Sequence, residues 1–173
     1  MTPIQILSNN LLYDFSQVPI PTDSVDEELV ALPRPWNIKE IKRFILCIGP
    51  ISSIFDYTTF FVMLYLFKCW APSRAPLFQT GWFVESIMTQ TLIIHIIRTN
   101  KIPFVQSRAS WPLLITTASI MAFGAWLPYS PMAASLGLVH LPRLYWPILL
   151  ATLFAYSCLT QGVKVWLLRI EWI

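Results

Sequence analysis

The 173-residue chain is 55% hydrophobic and 12% charged, with a mean hydropathy of +0.58 and a formal net charge of +3. Soluble domains carry about 25% charged residues, so half that share argues against a water-soluble enzyme and for lipid as the solvent. The small positive excess sits in loops, with no basic patch interleaved with aromatics, which speaks against nucleic acid as a partner.

Five apolar windows are expected to span a membrane, at 2–20, 41–67, 77–97, 111–128 and 144–168. Each approaches the roughly 20 helical residues that cross a hydrocarbon core, and none breaks into the short alternating segments of a barrel. The predicted fold class is an all-α membrane protein, a bundle of about five transmembrane helices.

The first window is interrupted by Asn9, Asn10, Asp14, Ser16 and Gln17. Asn10 and Asp14 are one helical turn apart and project from one face, with Tyr13 beside them. A charge at the bilayer centre costs about 2.5–3.5 kcal/mol, so such residues are seldom accidental. Carboxylate and amide oxygens suit a hard cation such as Mg²⁺. The same pair equally suits interhelical hydrogen bonding that holds a bundle together. Spacing leaves both readings open; in either, the stripe is expected to face a bundle interior.

The connection at 21–40 is punctuated by Pro21, Pro33 and Pro35, and Asn37-Ile38-Lys39-Glu40 has the residue types of a capping box before the second window. Inside that window Asp56 follows Ser52 by one turn, and the two are expected to satisfy each other. Glu85 lies in the outer part of the third window, where it is expected to reach water by snorkelling or to line an ion's route. Asp56 and Glu85 are therefore supporting candidates for a metal site. His95, further along, reads as an interhelical hydrogen-bonding residue. Cys47, Cys69 and Cys158 have neither metal-ligand nor disulfide spacing; Cys47 and Cys158 read as small apolar fillers.

Nine of the twelve Lys and Arg residues fall on one side of this arrangement: Arg34, Lys39, Lys42, Arg43, Arg98, Lys101, Arg108, Lys164 and Arg169. The bias places loops 21–40 and 98–110 and the C-terminus in the cytoplasm. With five spans Met1 is then outside, and a polar first helix with nothing before it reads as the middle of a larger protein. A four-helix protein with residues 1–31 as a cytoplasmic or surface segment is the alternative. The chain shows no Gly-rich phosphate cradle and no Asp-Lys-Thr-Gly phosphorylation sequence, so coupling to ATP would come from other residues.

At Asn10-Leu11-Leu12-Tyr13-Asp14 the sequence resembles the sixth transmembrane helix of cation-transporting P-type ATPases, where Asn-Leu-x-x-Asp binds the transported ion. The segments 10–21 (NLLYDFSQVPIP), 43–60 (RFILCIGPISSIFDYTTF), 78–104 (FQTGWFVESIMTQTLIIHIIRTNKIPF) and 107–113 (SRASWPL) look like the bacterial magnesium-translocating branch. The resemblance implies helices six to ten of a ten-helix pump of the bacterial inner membrane, with a cytoplasmic C-terminus. It implies Asn10, Asp14 and, less directly, Tyr13 as metal ligands. It also puts Ile93 where sodium–potassium pumps carry an acid, which suggests a single divalent ion per cycle. Mg²⁺ would be the cargo, and ATP the fuel of the full-length pump only. Helices one to five and the cytoplasmic domains would be the missing partner, so this fragment is expected to be inactive alone. A non-catalytic membrane scaffold or regulatory subunit is the alternative, with a secondary transporter as a third reading.

Overall fold

A computed structural model describes residues 1–24, 26 and 38–169, apart from the side chains at 39–41 and 44. The expected capping box at Asn37–Glu40 falls largely outside the described residues, although a helix does begin at Ile38. Six α-helices follow one another among the described residues: α1 Pro3–Gln17, α2 Ile38–Phe61, α3 Ala75–Ile97, α4 Trp111–Trp126, the short α5 Ala133–Leu136, and α6 Tyr145–Arg169.

Local chemistry starts and stops these helices. Thr2 caps α1: its hydroxyl accepts from Gln5 N while the Gln5 side chain accepts from Thr2 N, and Pro3 supplies the first turn. Pro50 lies inside α2, where it forfeits one backbone hydrogen bond. That helix runs on as a π-helical turn, Val62–Leu66. Gly137 ends α5 in the left-handed region at φ 66, which a residue with a Cβ disfavours.

Helix α3 is the hub, packed against α1, α2, α4 and α6. It is buried on every side, and the main core forms around its Phe83, Val84 and Ile87 with Met63, Tyr145 and Leu149. A second cluster, Ile48, Ile51, Phe55 and Tyr156, joins α2 to α6, with the Phe55 and Tyr156 rings edge to face at 5.3 Å. Large apolar side chains cover the outer faces instead, including Leu46 and Ile54 on α2, Ile115 on α4, and Leu150 and Phe154 on α6. So much exposed apolar surface suits a lipid environment. Three described helices are long and apolar enough to cross a membrane: Ile45–Leu66, Trp111–Tyr129 and Tyr145–Arg169. The 15-residue α1 and the polar-studded α3 do not qualify by that measure.

Gly81 allows α3 and its neighbours to approach closely. A Cβ there would lie 2.8 Å from the Met63 Cε and Sδ and 3.3 Å from a Tyr145 ring carbon, and its carbonyl accepts the Tyr145 hydroxyl at 2.6 Å. Overpacking costs about 1–3 kcal/mol, against about 1 kcal/mol regained by putting alanine in a helix. Gly81→Ala is therefore expected to lower the unfolding temperature in detergent. Gly162→Ala, where nothing lies within 4 Å, is expected to leave it unchanged or raise it.

Two expectations about polar pairing are corrected. Ser52 does not satisfy Asp56; its hydroxyl meets the Tyr156 hydroxyl at 3.1 Å, and Asp56 Oδ1 accepts from Trp82 Nε1 at 2.9 Å. Interhelical partners win because α2 packs between α3 and α6, which bring stronger or better-aimed groups than the next turn of the same helix. Glu85 does not reach water: it is 1% exposed, because α3 has no lipid-facing or solvent-facing side at that level. Cys158, expected to be a filler, is exposed, while Cys47 is half-buried.

Candidate functional site

The inward face of α1 is polar and its outward face is apolar, the reverse of a soluble amphipathic helix. Gln5, Asn9 and Ser16 are buried against the bundle, whereas Leu7, Leu11, Phe15 and Val18 are exposed. Gln5 Nε2 donates to the carbonyls of Leu136 at 3.0 Å and Gly137 at 3.2 Å, tying the start of α1 to the turn after α5. Ser16 Oγ donates to Tyr13 O at 2.6 Å.

Asn10 and Asp14 are exposed, and Tyr13 is half-buried beside them. At 100° per residue, Asn10 and Asp14 stand about 140° and 180° around the helix from Gln5. They therefore point away from α3 and α4, the helices against which α1 packs, rather than into the interior of this bundle. Two oxygen-bearing side chains are thus set in the middle of an apolar, unpartnered helix face. No cluster of three His, Cys, Asp or Glu side chains forms among the described residues. Any metal held at Asp14 needs oxygens from beyond these helices.

The supporting candidates lie elsewhere. Asp56 and Glu85 meet at the interface of α2 and α3, on elements other than α1. His95 behaves as expected: its Nε2 is 2.9 Å from Thr117 Oγ1. Thr117 gives its own hydrogen to the Leu113 carbonyl at 2.7 Å, so His95 must donate from Nε2.

Sequence reading missed the polar network at the ends of α1, α3 and α4. Arg98 pairs through Nε with Asp23, and its Nη atoms donate to Ser107 Oγ, Ser24 O and Arg108 O. The other Asp23 oxygen accepts from the backbone of Ser110, the residue before α4, at 2.7 Å. Asp26 accepts from the hydroxyls of Thr99 and Ser107. Lys164, counted only as a basic residue, is 4% exposed and spends all three donors on the carbonyls of Ile96, Thr99 and Lys101 at the end of α3. A lone lysine inside the apolar run of α6 was the available signal.

The Thr99 hydroxyl, then that of Ser107, hold the Asp26 carboxyl below the ordinary aspartate range, with Lys101 and Arg98 adding positive charge against a smaller burial penalty. A folded value below the unfolded one contributes stability above the unfolded pKa, which is lost as pH falls through the folded pKa. The contact between residue 26 and the 99–107 loop is therefore expected to hold at neutral pH and loosen in acid. Asp26→Asn should abolish that acid dependence, as read by hydrogen exchange at amides 99–110 against pH.

A cavity of about 640 Å³ lies away from α1, between the end of α3, the 102–104 loop and α6. Its walls are mostly apolar, among them Phe154 and Trp166.

Residues 1–166 match the family described as cation transporting ATPase, C-terminus. The chain belongs to that family. Magnesium-transporting ATPase, P-type 1, of Salmonella typhimurium is 50% identical over 164 residues, which cover 95% of this chain and 18% of that protein. The protein of the same name from Escherichia coli is 51% identical over the same length, again 18% of its own chain. The α-helical architecture described above is consistent with the membrane domain at the C-terminus of a P-type ATPase.

Proposed function

We propose that the chain is the C-terminal membrane portion of a P-type ATPase that imports Mg²⁺, with α1, α2, α3, α4 and α6 as five membrane-crossing helices. The Lys and Arg bias supports a cytoplasmic C-terminus in the bacterial inner membrane. The names of the relatives support Mg²⁺ as cargo.

The observation that carries the reading is the outward face of α1. A carboxylate facing hydrocarbon costs about 2.5–3.5 kcal/mol, so Asp14 on an exposed apolar face calls for a covering partner. Further helices of the full-length pump would pack on Leu7, Leu11, Phe15 and Val18. The face bearing Asn10 and Asp14 would then become the interior of a larger bundle. In that setting the Asp14 carboxylate is a direct ligand, the Asn10 amide oxygen a second, and Tyr13 flanks them. Mg²⁺ prefers octahedral oxygen coordination and keeps several waters, so few protein ligands suffice. One carboxylate offsets only half the ion's charge, and the remaining ligands come from the covering helices.

ATP hydrolysis, in this reading, takes place in parts of the pump outside these 173 residues. Helices α2 to α6 act as the support that fixes the rotation of α1. The test is rescue of a magnesium-requiring bacterial strain by the full-length protein, with and without changes at Asp14. Failure of the unaltered protein to support magnesium-dependent growth would remove the transport reading.

A further inference from the structure

Glu85 lies in the middle of α3, 1% exposed, and its Oε2 has no hydrogen-bond partner. The Arg98–Asp23 ion pair does not involve it. Isolated buried carboxylates cost several kcal/mol, and a carboxyl without a donor avoids that cost by keeping its own hydrogen.

The only hydroxyl beside its carboxyl is that of Thr89, and the neighbouring tyrosines are committed elsewhere. On its own helix, the Thr89 hydroxyl is directed at the Glu85 and Ser86 backbone carbonyls, at 3.0 and 3.2 Å. From α6, the Tyr145 hydroxyl is committed to Gly81 O, and Tyr156 shares its hydroxyl with Ser52 of α2. Helix α4 contributes no titratable residue, and α1 turns Asp14 away, leaving only the half-buried Tyr13. The π-helical turn carries only the exposed Tyr65.

Asp56 of α2 is the one acidic neighbour, within hydrogen-bonding range of Glu85. Its Oδ1 accepts from Trp82 Nε1, and Trp82 is one turn before Glu85 on the same face of α3. An indole N–H is donor only, so Asp56 Oδ1 is the acceptor in that contact. The order Trp82 N–H, Asp56 carboxylate, Glu85 carboxylic acid gives every hydrogen an acceptor.

We propose that Asp56 and Glu85 form a membrane-buried proton-binding site, in which one proton is held between the two carboxyls and carried on Glu85. The pair then has one negative charge; releasing the proton leaves two facing carboxylates, which like-charge repulsion opposes. The site lies between α2, α3 and α6 and does not depend on the transport reading of Asn10 and Asp14.

Infrared difference spectroscopy of the protein in lipid vesicles, in light and heavy water, tests it. At neutral pH a carbonyl band of a protonated carboxylic acid is expected, shifted in heavy water. Glu85→Gln should abolish it, Asp56→Asn should change its frequency, and Asp14→Asn should leave it unaltered. Glu85→Gln should also keep the unfolding temperature of the parent, since an amide copies the neutral acid and still donates to Asp56. Absence of the band at neutral pH, or its survival in the Gln variant, would show Glu85 ionised and overturn the site. An unchanged frequency in Asp56→Asn would overturn the sharing.

Discussion

Asp14→Ala in the full-length protein is expected to abolish growth that depends on magnesium uptake. Loss of an outer-shell partner of a metal ligand commonly costs 10–100-fold in affinity, so removal of a direct carboxylate ligand should cost at least about 100-fold. The magnesium concentration for half-maximal ATPase stimulation is the quantity to measure. Asn10→Ala should raise it less, because an amide oxygen carries no net charge. Ile93→Ala should barely change it, since Ile93 is apolar and brings no oxygen ligand. An Asp14→Ala pump that takes up magnesium normally would remove the ligand assignment. It would leave Asn10 and Asp14 as groups that merely bind neighbouring helices, the scaffold alternative.

Arg98→Ala is expected to have the largest effect on stability. The Arg98 and Asp23 side chains are 8% and 9% exposed, and the guanidinium reaches four partners on either side of α3 and α4. Breaking a buried ion pair by deleting one member typically costs about 3–5 kcal/mol, because the other charge stays behind. Unfolding in detergent should show a loss of that order for Arg98→Ala. A smaller loss is expected for the double variant with Asp23→Asn, which removes the stranded charge. Arg98→Lys should recover little, since one ammonium cannot reproduce the fork to Asp23, Ser107 and two backbone carbonyls. A change under about 1 kcal/mol would mean that the pair behaves as an exposed one. Asp23 follows α1 by six residues, and its anchorage to Arg98 and Ser110 helps set the rotation of α1 and hence the direction of Asp14.

The helices themselves were legible. The windows 77–97 and 144–168 correspond to Ala75–Ile97 and Tyr145–Arg169, and 111–128 to Trp111–Trp126 with the turn that follows it. Apolar run length and flanking prolines are local signals, and local signals place helix ends. The pair Asn10 and Asp14 was legible for the same reason, since four-residue spacing alone puts both on one face. His95 also took an interhelical hydroxyl, as its lone position in an apolar helix suggested.

Partners were another matter. Ser52 and Asp56 are a turn apart yet bond to Tyr156 and Trp82, more than twenty residues away. Glu85 looked able to reach water because its depth along the helix was readable, whereas its enclosure by four other helices was not. Lys164 looked like a surface charge until the end of α3 arrived beneath it. The amino-acid order by itself determined that this chain makes long apolar helices and where two oxygen-bearing side chains, Asn10 and Asp14, sit on the first. Only the packing decided that this first helix turns Gln5 and Asn9 inward and Asp14 outward. The physical reason is that a helix has a periodic surface but no intrinsic inside: burial of each face depends on which neighbours satisfy its polar groups best.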